Sequence, residues 1–301
     1  MEISRFKLQS QAENPVKEDH LIMEKWNYIL REEIGEKGKE GRHVFLADRI
    51  LSEDSVEYGQ QVHGVKTRKG KDCKSKRQRV VIKSTDCASV YLRSTLAELN
   101  CLQGLQHPGI PRILEHRREG TSYHLVLPYI EGKSLKTILE EKKAVEPEEA
   151  FSLLRELGEI LCYLHSLNPP ILYRDLKPEH IQIDRNGQVH LLDFDGAMPM
   201  GKVGEQIGNP RFSAPEQFVS QAKVDERSDI YAFGKIAELL FFQFPPETLT
   251  TWERRKWKRF LKRCTQENKE KRYGNMKMVL RELKRLENPK TGKDSLGSSL
   301  P

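Results

Sequence analysis

The sequence predicts an α+β chain in two parts, a small β-rich N-lobe and a larger helical C-lobe with a cleft between them. Three observations carry this prediction. Residues 26–130 break into short alternating or apolar runs around one helically spaced stretch. From about Ser134 the apolar spacing becomes helical. Around residues 172–197 two short strand-like runs interrupt the helices and carry acidic residues at their ends.

The elements follow in chain order. Residues 1–25 are a polar lead. "NYILREEI" and "RHVFLADRI" alternate and flank a Gly-bearing turn, as a hairpin would. "RVVIK" is a short buried strand ending at Lys83. "SVYLRSTLAELNCLQGL" sets Leu92, Leu96, Leu99 and Leu102 at helical spacing, and "TSYHLVLPYI" reads as a strand. "EPEEAFSLLRELGEILCYLHSL" is a long amphipathic helix opened by Pro147 and acidic residues, which suit a helix N-terminus. "HIQIDRNG" and "QVHLLDF" form a hairpin about Asn186-Gly187. Further helices run from Ser228 to about Leu286, and residues 287–301 read as a flexible polar tail.

Composition narrows the classes. Of 301 residues, 37% are hydrophobic and 32% charged, which fits a soluble globular chain. No apolar run reaches the roughly 18 residues of a membrane helix, so no membrane span is expected. Met1 to Gln11 lacks the apolar stretch of a signal peptide. Five scattered cysteines without a CxxC pair predict free thiols and a cytoplasmic setting. Much of the +7 net charge comes from Lys66 to Arg79, where eight of fourteen residues are Lys or Arg. That run reads either as a solvated loop or as the contact for an anionic partner. No aromatic residue is interleaved to stack on bases.

The chemistry concentrates in "LYRDLKPEHIQID" and, after a short gap, "LLDFDGA". Asp175 and Asp193 fall on turns at neighbouring strand ends. Phosphoryl transfer needs such a pair: one carboxylate orients and deprotonates the attacking hydroxyl, and the other holds the metal that bridges the phosphates. Lys177 stands two residues after Asp175, where it can neutralise charge on the transferring phosphate.

Residues 26–286 resemble the protein kinase family, whose catalytic loop and DFG segment these motifs match at the expected spacing, with Tyr173 where His is usual. "SAPEQF" is similar to the family's APE motif, with Ala214, Pro215 and Glu216. "DERSDIYAFG" is similar to the start of the central C-lobe helix, with Asp229 anchoring the catalytic loop, and Arg272 is placed like the arginine that pairs with Glu216. "KPE" resembles the serine/threonine branch, and "NPPILYRDLKP" with "APEQF" resembles bacterial members. The resemblance implies a bilobal protein-kinase-like fold, N-lobe 26–130 and C-lobe 131–286, that moves the γ-phosphate of ATP to protein Ser/Thr hydroxyls. Protein substrates and ATP are its implied partners, with Mg²⁺ as the metal.

The same resemblance assigns the remaining site residues. Lys83 would hold the α- and β-phosphates and be aimed by an ion pair with Glu98. Leu127 falls at the gatekeeper position, and the Pro128 carbonyl and Ile130 amide of the hinge would receive adenine. Gly35, Gly38 and Gly41 form the preferred phosphate loop, spaced three apart rather than as GxGxxG. The rival loop runs from Gly59 to Gly64. The preferred loop leaves a long insertion, residues 51–79, before Lys83.

Three positions depart from the family pattern. His180 stands where Asn binds the second Mg²⁺, and imidazole is softer than the ligands Mg²⁺ prefers, which makes Mn²⁺ the alternative ion. Asp193 is the other implied metal ligand. Asp195 replaces the DFG glycine, adding a Cβ and a negative charge, and Asn209 replaces a Thr that bridges the catalytic Asp and Lys. Lys83, Asp175 and Asp193 all remain, so an active enzyme is expected, with a scaffolding pseudokinase as the alternative. A small-molecule phosphotransferase fits "SAPEQF" and "DERSDIYAFG" less well. Between Asp193 and Phe212 there is no Ser, Thr or Tyr, so Glu205, or another fixed acid, is expected to supply the fixed anion for Arg174.

Overall fold

The computed structural model describes residues 26–34, 41–51, 63–64, 76–142, 145–202, 208–220, 222–245 and 247–287. The chain forms two compact units, Met1–Leu92 with Leu114–Tyr129, and Arg93–Ile113 with Ile130–Pro301. The first is β-rich and the second mostly helical.

The first unit is a six-stranded sheet. Its strands are β1 (Tyr28–Glu33), β2 (Arg42–Ile50), β3 (His63–Gly64), β4 (Lys76–Asp86), β5 (Glu115–Glu119) and β6 (Ser122–Pro128). They lie in the order β1-β2-β4-β6-β5, with β3 paired to β4. All pairings are antiparallel. Alternation puts Tyr28, Phe45, Ala47, Val80, Ile82 and Val126 on one face, where they form a buried cluster closed by Trp26, Leu30 and Leu114. The Tyr28 hydroxyl satisfies itself at the margin by donating to Glu115 Oε2 at 2.9 Å.

The strand expected as "RVVIK" is longer in both directions. β4 begins at Lys76, so the last four residues of the basic run belong to the sheet. Pairing supplies the reason: Ile50 faces Arg77, and β3 covers Lys76 and Arg77. Arg77 also lies 3.7 Å from the Asp48 carboxylate. Ladder bonds to two neighbours override a composition that, read locally, looks like loop.

The second unit begins at Arg93, one residue into α1 (Leu92–Leu102), the helix read from its leucine spacing. Residues Arg93–Ile113 group with the helical unit, although they fall inside the expected N-lobe. Polar ties account for this. Glu98 accepts a bond from the Phe194 amide, Cys101 Sγ lies 3.4 Å from the Ala197 carbonyl, and the Gly109 carbonyl accepts from Leu191 N.

After β7 (Gly132–Ser134) come α2 (Leu135–Glu141), capped by Ser134, and α3 (Pro147–Ser166), which has Pro147 at its first turn. Then follow β8 (Ile171–Leu172), β9 (Ile181–Asp184), β10 (Val189–Leu191) and β11 (Met198–Pro199). β10, β9 and β7 make one small sheet, and β8 pairs with β11. The β9–β10 turn is built on Asp184, whose Oδ1 accepts from Asn186 N and Gln188 N. Gly132 is obligatory by contact, because a Cβ there would lie 2.0 Å from the Ile183 carbonyl oxygen.

The helices α4 (Glu226–Phe242), α5 (Thr251–Cys264) and α6 (Met276–Glu287) complete the unit. Their core centres on Trp257 of α5, ringed by Phe151, Phe241, Phe244 and Phe260 at centroid distances of 5.2 to 5.8 Å. Among the described residues no helix is long and apolar enough to cross a membrane.

Candidate active site

The loop from Tyr173 to His180 joins β8 to β9, and a rigid buried acid holds its start. Asp229, 0% exposed in the first turn of α4, accepts the main-chain amides of Tyr173 at 2.9 Å and Arg174 at 2.8 Å. Arg174 takes φ +70°, a left-handed conformation that costs a non-glycine residue of order 1–3 kcal/mol. Two further side chains brace the same point. His165 Nε2 lies 2.8 Å from Asp229 Oδ2, and the buried Gln217 amide donates to the Arg174 carbonyl at 2.9 Å. Neither residue stands out in the sequence, since their contacts exist only once α3, α4 and the turn at Pro215–Phe218 come together.

On this loop Lys177 Nζ sits 3.0 Å from Asp175 Oδ2. Asp175 and Lys177 are thus brought together on a base only partly open to solvent, with side chains 19% and 24% exposed. The loop's other end closes on the segment that follows β10. The Tyr173 hydroxyl donates to the Leu192 carbonyl, and its ring meets Phe194 edge-on at 5.2 Å. Burial, with the nearby carboxylates of Asp193 and Asp175 adding to it, raises the Tyr173 pKa well above its ordinary value, so the hydroxyl keeps its proton.

His180 Nδ1 lies 3.0 Å from the Asp175 carbonyl and 3.2 Å from the Tyr173 hydroxyl, and its Nε2 lies 3.3 Å from Asp193 Oδ2. Burial lowers the His180 pKa, working against the Asp193 carboxylate, so the neutral ring is favoured at neutral pH. Glu98, 0% exposed on α1, directs Oε1 at the Phe194 amide at 3.2 Å. Glu98, Asp193 and Asp195 each offer an oxygen, all within 4.8 Å of one another. An oxygen-rich set beside one imidazole nitrogen fits a hard divalent cation.

The departures from the family pattern resolve differently. Asp193, not Asp195, takes the left-handed conformation, at φ +59°, so a Cβ at 195 costs no backbone strain of this kind. Asn209 turns its side chain inward on its own loop, with Oδ1 accepting from Arg211 N at 2.9 Å. Arg174 Nη1 lies 2.8 Å from Met198 Sδ. Glu205 lies outside the described residues.

The Glu216–Arg272 pair is a two-pronged ion pair, at 2.6 and 2.8 Å, on an arginine side chain 0% exposed. Burial alone would raise the Glu216 pKa, but the bonds from Arg272 and Ser228 overcome it and hold the carboxyl below its ordinary value.

The expected nucleotide residues divide between the units. Lys83 is 8% exposed on β4, between Val44 and Leu125 in the ladder. Pro128 ends β6 opposite Val80, and Ile130 belongs to the second unit, its carbonyl accepting from Gln182 Nε2 at 3.2 Å. Gly41, at φ +76°, leads into β2; a Cβ there would lie 2.9 Å from Ser89 Cβ. Gly35 and Gly38 lie outside the described residues, as does Gly59 of the rival loop, whose Gly64 is in β3.

Comparison with known proteins places the chain in a family. A family profile described as "Protein kinase domain" matches residues 57–284. The chain is 36% identical over 148 residues to serine/threonine-protein kinase pkn2 of Myxococcus xanthus, covering 46% of this chain and 17% of that protein. It is 28% identical over 161 residues to serine/threonine-protein kinase PrkC of Bacillus subtilis, covering 52% and 24%. Against the probable serine/threonine-protein kinase SCO3848 of Streptomyces coelicolor the identity is 29% over 163 residues, covering 50% and 23%. The chain therefore spans less than a quarter of the length of these relatives. With the catalytic loop, the acidic segment and the Glu216–Arg272 clasp all in place over the matched residues, the chain belongs to the protein kinase domain family.

Proposed function

We propose that the protein is a serine/threonine protein kinase that transfers the γ-phosphate of ATP to protein hydroxyls. The observation that carries this is Asp175 beside Lys177, on a loop pinned by Asp229. Asp175 would accept the proton of the attacking hydroxyl, and Lys177 would balance charge on the moving phosphate. Asp193, with His180 beside it, would hold the divalent cation, which supplies charge neutralisation across the phosphates when bound.

Lys83 would hold the α- and β-phosphates, and Pro128 and Ile130 would receive adenine through main-chain groups. Gly35, Gly38 and Gly41 would cover the phosphates. The β1–β2 hairpin supports that loop over the one at 59–64, because Gly41 sits at the mouth of the hairpin and Gly64 is taken up in strand pairing. Mg²⁺ is the expected ion and Mn²⁺ the alternative. Residues 26–286 form the proposed kinase domain. A cytoplasmic setting is supported by the free thiols of Cys87, Cys101, Cys162 and Cys264. The basic run 66–79 is proposed to contact an anionic partner, with binding that weakens steeply with salt.

The test is transfer of labelled phosphate from ATP to a generic basic protein. Asp175→Asn is expected to lower the rate by about 10²–10⁴-fold while ATP still binds. Equal rates in parent and variant would overturn the kinase reading.

A further inference from the structure

The helix α5 carries seven Lys and Arg residues and one acid, Glu253. Its buried residues, Trp257, Phe260, Leu261 and Cys264, fall on one side. At about 100° per residue, the opposite arc is about 160° wide and holds Trp252 with six cations, Arg255, Lys256, Lys258, Arg259, Lys262 and Arg263, and no acid. Glu253 lies off this arc, where the Thr250 amide and hydroxyl both donate to its carboxylate. Lys256 stacks over the Trp252 ring at 3.4 Å, and Arg263 over the Tyr273 ring at 4.3 Å. Among the described residues the other four, Arg255, Lys258, Arg259 and Lys262, are exposed and form no ion pair. Elsewhere in the same unit exposed cations do find acids, as Lys133 finds Glu141, Lys142 finds Glu149 and Arg185 finds Glu131. Positions three and four apart on a helix are neighbours, so the four repel one another, and like-charge pairs of this kind destabilise a helix. The buried face and the Thr250 cap hold α5 against that repulsion. An external anionic surface turns the same charges favourable.

We propose that the outer face of α5 is a docking surface for an anionic lipid bilayer, which the helix meets lying flat. Its shape favours a membrane over an acidic peptide. A helix has spent its backbone groups on itself, so this ridge offers a peptide only exposed ion pairs, which are individually weak. A bilayer presents many anions at once to a row of cations about 16 Å long. Trp252 favours lipid over nucleic acid. It is 52% exposed at one end of the row, with the Lys256 ammonium over its ring. An indole and a cation side by side suit the headgroup level, where apolar body and charge are both satisfied. A stacking base would compete with that ammonium for the ring, and the arc has no Asn or Gln to read base edges. The apolar face of α5 is committed to the core, so the helix does not insert, and attachment is electrostatic and reversible by salt. Near an anionic membrane each Lys or Arg raises the partition about fivefold. This docking does not depend on phosphoryl transfer.

Co-sedimentation of the full chain with phosphatidylcholine vesicles, with and without phosphatidylglycerol, tests the proposal. Binding is expected only where phosphatidylglycerol is present, and it should fall steeply with added salt. Arg255→Gln, Lys258→Gln, Arg259→Gln and Lys262→Gln combined should weaken it about a hundredfold, while far-UV circular dichroism matches the parent. The basic run 66–79 is intact in this variant, so the loss reports on α5. A second measurement needs no charge variant: brominated phosphatidylglycerol should quench the part of the parent's tryptophan fluorescence that Trp252→Phe removes. Equal vesicle binding by the parent and the folded variant, or no quenching of Trp252, overturns the proposal. Tighter binding to duplex DNA or to polyglutamate than to the vesicles, with the same loss in the variant, also overturns it by assigning the face to another partner.

Discussion

Asp229 and Arg174 are joined by a 2.8 Å bond from a main-chain amide to a fully buried carboxylate, at a residue whose φ is +70°. The strained backbone and the buried charge account for each other. Arg174 in this conformation turns its amide, together with that of Tyr173, toward α4, and the two amides stabilise a carboxylate that would otherwise be costly to bury. Charge-assisted bonds of this kind contribute about 1.5–3 kcal/mol each. Asp229→Asn keeps the shape but replaces one acceptor oxygen by a donor. We expect kcat to fall by about tenfold or more, with a smaller change in the KM for ATP. Steady-state kinetics decides it, and an unchanged kcat would mean that the loop holds its geometry without this carboxylate.

The Glu216–Arg272 clasp makes a prediction about stability. Arg272 has its side chain entirely out of solvent and also donates to the Gln266, Glu267 and Arg227 carbonyls. Removing it strands a half-buried carboxylate and three carbonyls. Arg272→Ala should cost about 3–5 kcal/mol in urea unfolding. Glu216→Gln combined with Arg272→Met should cost less than Arg272→Ala, because neither partner then leaves a bare charge. Equal losses would assign the clasp's contribution to packing.

These two contacts also mark how far the sequence could be read. Glu216 and Arg272 are 56 positions apart, yet the motif resemblance paired them, as it paired Asp229 with the catalytic loop. The strands of the first unit were legible because alternation exposes a buried face: Tyr28, Phe45 and Ile82 announce it. What stayed hidden depends on tertiary partners. Lys76 to Arg79 look like loop by composition and become strand only because β2 and β3 supply ladder bonds. Gln217 and His165 are ordinary polar residues until folding turns them toward Arg174 and Asp229.

His124 gives a pH dependence. It is 0% exposed on β6, edge-on to Trp26, and burial, helped by the nearby Arg117 charge, lowers its pKa to about 4 from an ordinary 6.5. The fold therefore favours the neutral ring. Above pH 6.5 both folded and unfolded chains hold it neutral; as the pH falls toward 4, only the unfolded chain gains the proton. Stability contributed by this group is present at neutral pH and is lost on acidification, by about 2 kcal/mol between about pH 7 and pH 5. His124→Leu should flatten the fall in unfolding free energy over that window relative to the parent. Parallel curves for the two proteins would show that His124 titrates normally in the fold.

The segment after Asp193 leads to a prediction about control. No Ser, Thr or Tyr occurs from Phe194 to Phe212, so no phosphate can be added there to pair with Arg174. Arg174 is 3% exposed, and its Nη1 contacts Met198 Sδ within the same unit. Its backbone is already fixed, by Asp229 at the amide and Gln217 at the carbonyl. A residue clamped on both sides of its peptide needs no added anion to order it, which removes the usual reason for a phosphate switch. We expect the purified protein to keep its initial rate after phosphatase treatment. Glu205→Gln tests whether a fixed carboxylate contributes. A carboxylate carries about one negative charge against nearly two for a phosphate, so any such contribution should be small and fade with salt. Gln217→Ala, by contrast, frees the Arg174 carbonyl and should lower kcat more than Glu205→Gln does. A rate that collapses on dephosphorylation and returns after autophosphorylation would place control at a hydroxyl elsewhere in the chain.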